Sequence, residues 1–398
     1  MIRTTTNGVL KTYRYNLQRS NFTLDKARNR VLTQRNFNSF AEDPAAAARC
    51  FQMRRSFQRT NGQFQVGESV CRKYDVAWNA MKSIVDDVSN RISDSAYAEV
   101  INGLNDATAG GRNALGQSML DLSKGLVQSM NVKYGDSFVF AGADGDKVPF
   151  NMENGVITYR GVPVDTQEPP TLEMAADTKL PEKYKSDGNG GYVRDDASGT
   201  FYKTTKGEFV AAADYDKNVE DWQKLNYMAH DEKKFVDIGL GLEEDANGNV
   251  MESSAFDSAL RGLDMLDFGL DEDGDPKNVI SLVNEMGKIL TDGVTEDGGF
   301  KNPADRTRLE RLAKKFEKAA GRLNSKHVEM DTRKGFLDTN QKQLEATATS
   351  LQEQFLGLED ADLAEAISSF SWAKYCYDTS LKVGNSILSQ SLMDYLNS

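Results

Sequence analysis

The stretch LERLAKKFEKAAGRLNSKHVEMDTRKGFLDTNQKQLEATATSLQEQFLGL, residues 309–358, decides the fold. It carries an apolar residue at every seventh position: Leu309, Phe316, Leu323, Met330, Leu337, Leu344, Leu351 and Leu358. A period of seven held that long keeps one stripe of a helix turned toward a neighbour. No proline interrupts it, and Gly321, Gly335 and Gly357 are its only glycines. A single helix of ~75 Å is predicted at a rise of ~1.5 Å per residue. The alternate seam, Leu312, Ala319, Lys326, Arg333, Asn340, Thr347 and Gln354, is too polar for a self-sufficient zipper. The stripe is therefore predicted to pack on other helices of the same chain.

A long partner lies near the other end. Cys50, Phe57, Phe64, Cys71, Trp78, Val85 and Ile92 recur at intervals of seven, with Tyr74, Met81 and Val88 on the alternate seam. Asp43 is placed to cap this helix and Pro44 to occupy its first turn, where a missing amide costs nothing. Its predicted length is ~60 Å. A third stripe, Leu115, Met119, Leu122 and Leu126, predicts a shorter helix ending near Gly135. Within it, Gly111 to Ser118 imitates a phosphate-binding loop. Gln117 stands where the lysine should be and no strand precedes it, so nucleotide binding is not expected.

Both chain ends read as amphipathic helices. At the N-terminus Leu10, Tyr13, Leu17, Leu24, Ala27 and Val31 follow alternating three- and four-residue steps, broken only by Ser20. At the C-terminus Leu363, Ile367, Phe370, Tyr377, Leu381, Leu388 and Tyr395 follow the same rhythm with Lys374 and Gly384 as gaps, Leu392 and Leu396 extending the face, after a capping arrangement of Asp362 with Glu365. Residues 1–60 hold 12 Lys/Arg against 3 Asp/Glu, whereas 359–398 hold 2 against 6, so the two ends complement each other in charge. With too little neighbouring core, these stripes are expected to gain burial from other copies, at ~25 cal/mol per Å² of apolar surface. They form the candidate assembly interface.

Between the rods the composition changes. Residues 151–300 hold 14 Lys/Arg against 32 Asp/Glu and are rich in Gly and Thr. Phe138 to Gly142, Val156 to Tyr159, Gly191 to Arg194, Thr200 to Lys203 and Glu208 to Ala211 read as strands; Phe256 to Leu266 and Val279 to Leu290 read as helices. The fold class is thus mainly α, an elongated helical bundle with coiled-coil-like rods and an inserted mixed β/α outer domain. The predicted division is 1–40 with 359–398 as a terminal helical domain, 41–150 with 301–358 as the rods, and 151–300 as the insert.

Most chemistry is not expected. Asp271, Asp273 and Asp275 have calcium-like spacing, but Pro276 stands where an EF-hand needs glycine and Leu282 where it needs glutamate. His230 and His327 lack a neighbour at ligand spacing. Cys50, Cys71 and Cys376 cannot all pair and read as core thiols rather than a disulfide framework. The basic face of the first helix, with Lys11, Arg14, Arg19 and Lys26, comes without a nucleic-acid signature, so a solvated face is preferred. No catalytic residue, metal or cofactor is assigned, no apolar run suits a membrane span, and Met1 to Ser20 lacks the apolar core of a secretory signal.

Three motifs carry a resemblance. Ala41-Glu-Asp-Pro44 followed by Ala45 to Arg49, Phe138-Val-Phe-Ala-Gly142 with Pro149-Phe150, and Asp360 to Ala366 with the closing Ser391-Leu-Met-Asp-Tyr-Leu396 are similar to the flagellin superfamily, the second motif to its hook-filament junction branch. The resemblance covers roughly residues 1–150 and 300–398. It departs where the family usually reads Leu-Ser-Ser-Gly-Lys-Arg-Ile, because this chain has Leu32-Thr-Gln-Arg-Asn-Phe-Asn38. It implies a structural subunit of the bacterial flagellum, secreted by the flagellar type III export apparatus. The implied partners are further copies of itself, a neighbouring hook-associated protein, flagellin and a flagellar export chaperone. Filament-forming flagellin is the alternative, and a surface adhesin or an enzyme seated in the insert is a third.

Overall fold

The protein is described by a computed structural model over residues 6–88, 109–172, 184–186, 192–194 and 197–396. The α-helices among the described residues are α1 (Thr6–Thr33), α2 (Pro44–Val88), α3 (Ala109–Met130), α4 (Ala212–Asn226), α5 (Gly262–Leu266), α6 (Val279–Thr291), α7 (Ala304–Glu359) and α8 (Leu363–Leu396). The 50-residue heptad stretch lies wholly within the 56 residues of α7. Ile92, the last position of the second predicted stripe, lies outside the described residues. The chain is mainly α, with short strands confined to its middle, and no described helix is long and apolar enough to cross a membrane.

The chain divides into two compact units, Met1–Phe64 with Lys342–Ser398, and Gln65–Gln341. In the second, the rods build the core that their spacing dictates. Tyr74, Met81 and Val88 of α2 are fully buried, as are Leu309, Phe316, Leu323, Met330 and Leu337 of α7. Met119, Leu126 and Met130 of α3 join them. Ile157, Tyr159, Leu225, Ile238, Leu263 and most of α6 belong to the same cluster, so the middle stretch 151–300 shares this apolar core. Its predicted edge at 150/151 leaves no seam in that core.

The middle stretch holds antiparallel ladders. β1 (Phe150–Glu153), β2 (Val156–Tyr159) and β3 (Val162–Pro163) form one sheet, and β4 (Tyr184–Ser186), β5 (Tyr192–Arg194), β6 (Ala197–Lys203) and β7 (Phe209–Ala211) form another in the order β7-β6-β5-β4. Phe138 to Gly142 is not one strand. It is split into the ends of two short ones, Ser137–Phe138 and Ala141–Gly142, around a buried turn. Phe140 and Ala141 are fully buried, and the Phe140 carbonyl accepts both the Tyr159 hydroxyl at 2.9 Å and the Gly262 amide at 3.0 Å.

The helix expected over Phe256 to Leu266 is a correction. Only Gly262–Leu266 is helical, after strand pairs at Phe256–Asp257 and Leu260–Arg261. The Asp257 carboxylate accepts the amides of Lys234 and Ala259, each at 3.0 Å, and such local side-chain bonds compete with helix propagation. Val279 to Leu290 does form a helix, capped by the Asn278 side chain.

One loop is built four times, at Thr204–Glu208, Asp245–Asn249, Asp271–Asp275 and Thr295–Gly299. In each, the first residue's amide donates to the fifth residue's carbonyl and its own carbonyl accepts the fourth residue's amide. The fourth residue is always glycine, with φ between +76° and +84°, the conformation that closes such a hairpin without a Cβ penalty. The last two copies read Gly-Leu-Asp-Glu-Asp-Gly-Asp-Pro-Lys-Asn (269–278) and Gly-Val-Thr-Glu-Asp-Gly-Gly-Phe-Lys-Asn (293–302). Each leads into a helix at its closing asparagine, Asn278 before α6 and Asn302 before α7.

Candidate assembly interface

The unit formed by the two chain ends has little interior. α1 and α8 pack antiparallel, Tyr13 against Gly384 and Arg30 beside Glu365. α1 presents Leu10, Tyr13, Leu17, Leu24 and Val31, all half-buried. On α8 the covered positions include Ala366, Phe370, Ala373, Cys376, Tyr377, Ser380 and Gly384, a stripe in which small residues let the helices approach. A Cβ at Gly384 would collide with the Tyr13 ring.

The predicted interface residues therefore fall into two sets. Leu10, Tyr13, Leu17, Leu24, Val31, Phe370 and Tyr377 lie on the half-buried faces of the α1/α8 pair, whereas Leu363, Ile367 and Leu381 are 46%, 47% and 42% exposed. The side chains of Leu388, Leu392 and Tyr395 lie outside the described residues. Reading the stripes missed further exposed residues. Trp372 and Tyr375 stack at 5.9 Å and are 68% and 63% exposed, while Tyr15, Phe22, Leu32 and Val383 are also open to solvent. Large apolar residues off the main stripe were the available signal.

The pair is anchored at an elbow where the α1–α2 linker meets the α7–α8 junction. The Asn36 amide donates to the Glu359 carbonyl at 2.7 Å, and its side-chain amide donates to the carbonyls of Leu358 and Asp360. Its Oδ1 accepts the Arg30 guanidinium. The Ala361 amide returns the stitch to the Gln34 carbonyl. Beneath it the buried Glu359 carboxylate pairs with Arg35 at 3.0 Å and with Arg54, beside the Cys50 thiol. Burial, then the Glu359 charge, raises the pKa of that thiol, which suits a packed core group more than a nucleophile. The two linkers are thus one hydrogen-bonded knot, and α1 and α8 leave it together.

The imitation phosphate loop is helical: a Cβ at Gly116 would lie 2.9 Å from the Gly287 carbonyl, and one at Gly287 would lie 3.0 Å from the Gly116 carbonyl. Those glycines let α3 and α6 touch. Asp271, Asp273 and Asp275 are the only group of three or more metal-competent side chains among the described residues. They close around the Lys315 ammonium, with Nζ 2.6 Å from Asp271 and 2.7 Å from each of the others. Burial works to raise the Asp275 pKa, but hydrogen bonds from Arg311 and Lys315 hold it down to about 2. His327 packs on Trp78 and His230 on Phe268.

No family model matches the chain, and no match is found among curated proteins. Among solved structures, it is similar to a Vibrio parahaemolyticus chain described as a flagellar hook-associated protein, with 14% identity and a TM-score of 0.44 over 80% of this chain and 99% of that one. It is similar to flagellar hook-associated protein 3 of Legionella pneumophila, at 13% identity and a TM-score of 0.40 over 77% and 98% of the two chains. The third is Bacillus cereus FlgL, at 13% identity and a TM-score of 0.38 over 77% and 99%.

Proposed function

We propose that this chain is a non-enzymatic structural subunit of the bacterial flagellum, an adaptor at the hook-filament junction of the third hook-associated protein type. One observation carries the reading: the terminal helices pair with each other yet leave Phe22, Leu32, Leu363, Ile367, Trp372 and Tyr375 open. Covering such side chains against a neighbouring subunit removes apolar surface from water and so favours association. The motif Phe138 to Gly142 supports the junction branch over filament flagellin. On this reading residues 1–40 and 359–398 meet neighbouring subunits, 151–300 faces outward, and the partners are hook-associated protein, flagellin and other copies of the chain. Export unfolded through the flagellar type III apparatus, with a chaperone on the C-terminal helix, belongs to the same reading.

The test is to add the purified chain to isolated hooks and, separately, to flagellin seeds, and to follow both by electron microscopy and light scattering. A junction subunit caps hooks and then stops. Growth without limit from seeds would make it a filament flagellin instead, and indifference to hooks would overturn the junction reading.

A further inference from the structure

In the unit formed by the two chain ends, a pocket of about 210 Å³ opens between the α1–α2 linker and the first turns of α2. Phe37, Phe40 and Phe51 wall it, the buried Cys50 lies at its base, and Arg35 and Arg54 stand at its rim. Phe40 and Phe51 are 60% and 65% exposed, so two of these rings lack a cover within one copy. The volume falls below the ~300–1,000 Å³ of small-molecule sites and suits a single aromatic side chain. Arg35 and Arg54 share the one carboxylate of Glu359, which leaves the rim with an uncompensated positive charge.

The chain itself carries a projection of matching chemistry. On the outward side of α8, Trp372 and Tyr375 stack and are largely exposed. The exposed Asp378 follows one turn after Tyr375 on the same side. Of the neighbouring lysines, Lys374 is turned ~200° from Trp372 and Lys382 lies a further turn along. The open rings of α1, Tyr15 and Phe22, match less well: Lys11, Arg14, Arg19 and Lys26 flank them, and the arginine rim repels that charge. Nor can a copy fill its own pocket. Tyr375 lies ~18 Å along the helix from Leu363 at a rise of ~1.5 Å per residue, farther than a side chain reaches, and α8 packs along α1.

We propose that Tyr375 of one copy enters this pocket in the next copy, while Trp372 packs at its mouth on Phe40 and Phe51 and Asp378 faces the arginine rim. The contact joins two different patches, and every copy offers both. It is therefore heterologous, propagating head to tail into a ring or tube instead of closing as a two-fold pair. It deepens the proposed function and rests on its claim that the terminal unit meets further copies, not on the flagellar setting.

The test replaces Phe40 in the full-length chain by the photo-crosslinking residue benzoylphenylalanine, in an equal mixture of ordinary and isotopically heavy copies. The mixture is illuminated as a concentrated solution and again after addition to isolated hooks, and linked peptides are read by mass spectrometry. The expected product joins residue 40 of one copy to the peptide bearing Trp372 and Tyr375 of another, with mixed isotope labels. Asp378→Lys, at an exposed position, should reduce that product several-fold with unchanged far-ultraviolet circular dichroism. Linkage confined to single copies, linkage to a different segment of the second copy, linkage that ignores Asp378→Lys, or none in either sample overturns the contact. Mixed-label linkage in solution beside hooks left bare would uphold the contact and overturn the junction reading instead.

Discussion

Single residues here do opposite things with the same chemistry. Asp275 is buried but held by Arg311 and Lys315, and its pKa falls to about 2; Asp165 is pushed up to about 6 by burial, with the Glu285 charge adding to the effect. The signs follow from linkage. The Asp275 contribution is present above the ordinary carboxylate value and is lost as pH falls through 4 toward 2. The Asp165 penalty is absent below about 4 and grows as pH rises toward 6, where the fold must bury a charge. Asp275→Asn is therefore expected to cost about 2 kcal/mol at pH 7 and to converge with the parent near pH 2, measured by urea unfolding across pH. Asp165→Asn is expected to stabilise by about 2 kcal/mol at pH 7 and to lose that gain below pH 4. Gly116→Ala is a steric counterpart. Its Cβ would lie 2.8 Å from Leu290 and Thr291, and a loss of about 1–3 kcal/mol is expected in the same measurement.

At the scale of elements, helix ends and linkers do the organising. Asp43 caps α2 through the Ala46 amide at 3.0 Å, and Asp362 caps α8 through the amides of Ala364 and Glu365. The Glu365 side chain does not close the predicted box in the observed geometry; it reaches Arg30 on α1 instead. Asp362→Ala is expected to cost about 1 kcal/mol and to raise amide exchange in the first turn of α8, while α7 stays unchanged. The hairpins were hard to foresee for a different reason. Asp271-Glu-Asp-Gly-Asp275 shows only a calcium-like spacing in the sequence, because the partner of Asp275, Lys315, is 40 residues away on α7. Nothing in the local sequence names that lysine.

At the scale of the molecule, the open aromatic surface of the terminal pair decides the function proposed here. Replacing Trp372 and Tyr375 together by alanine is expected to leave helicity unchanged, since both are largely exposed. It should abolish hook capping in electron micrographs. Loss of helicity with loss of capping would instead make the pair part of the fold.

The sequence by itself determined the long helices of the two chain ends and the rods, because a period of seven or of three and four leaves only one face to bury; it did not determine Ala212–Asn226 or the strand pairs before Gly262. It also determined both helix caps, since a cap needs only a side chain next to its own helix. Tertiary structure alone decided which stripe meets which. Leu363 and Ala366 belong to one helix, yet Ala366 is buried and Leu363 is left 46% exposed, because the face that carries Ala366, Ala373 and Gly384 is the one covered, Gly384 meeting the Tyr13 ring of α1. Likewise the acidic excess of 151–300 could be counted in the sequence, but its pairing with α7 depends on contacts between residues far apart in the chain, and those exist only once the core has closed.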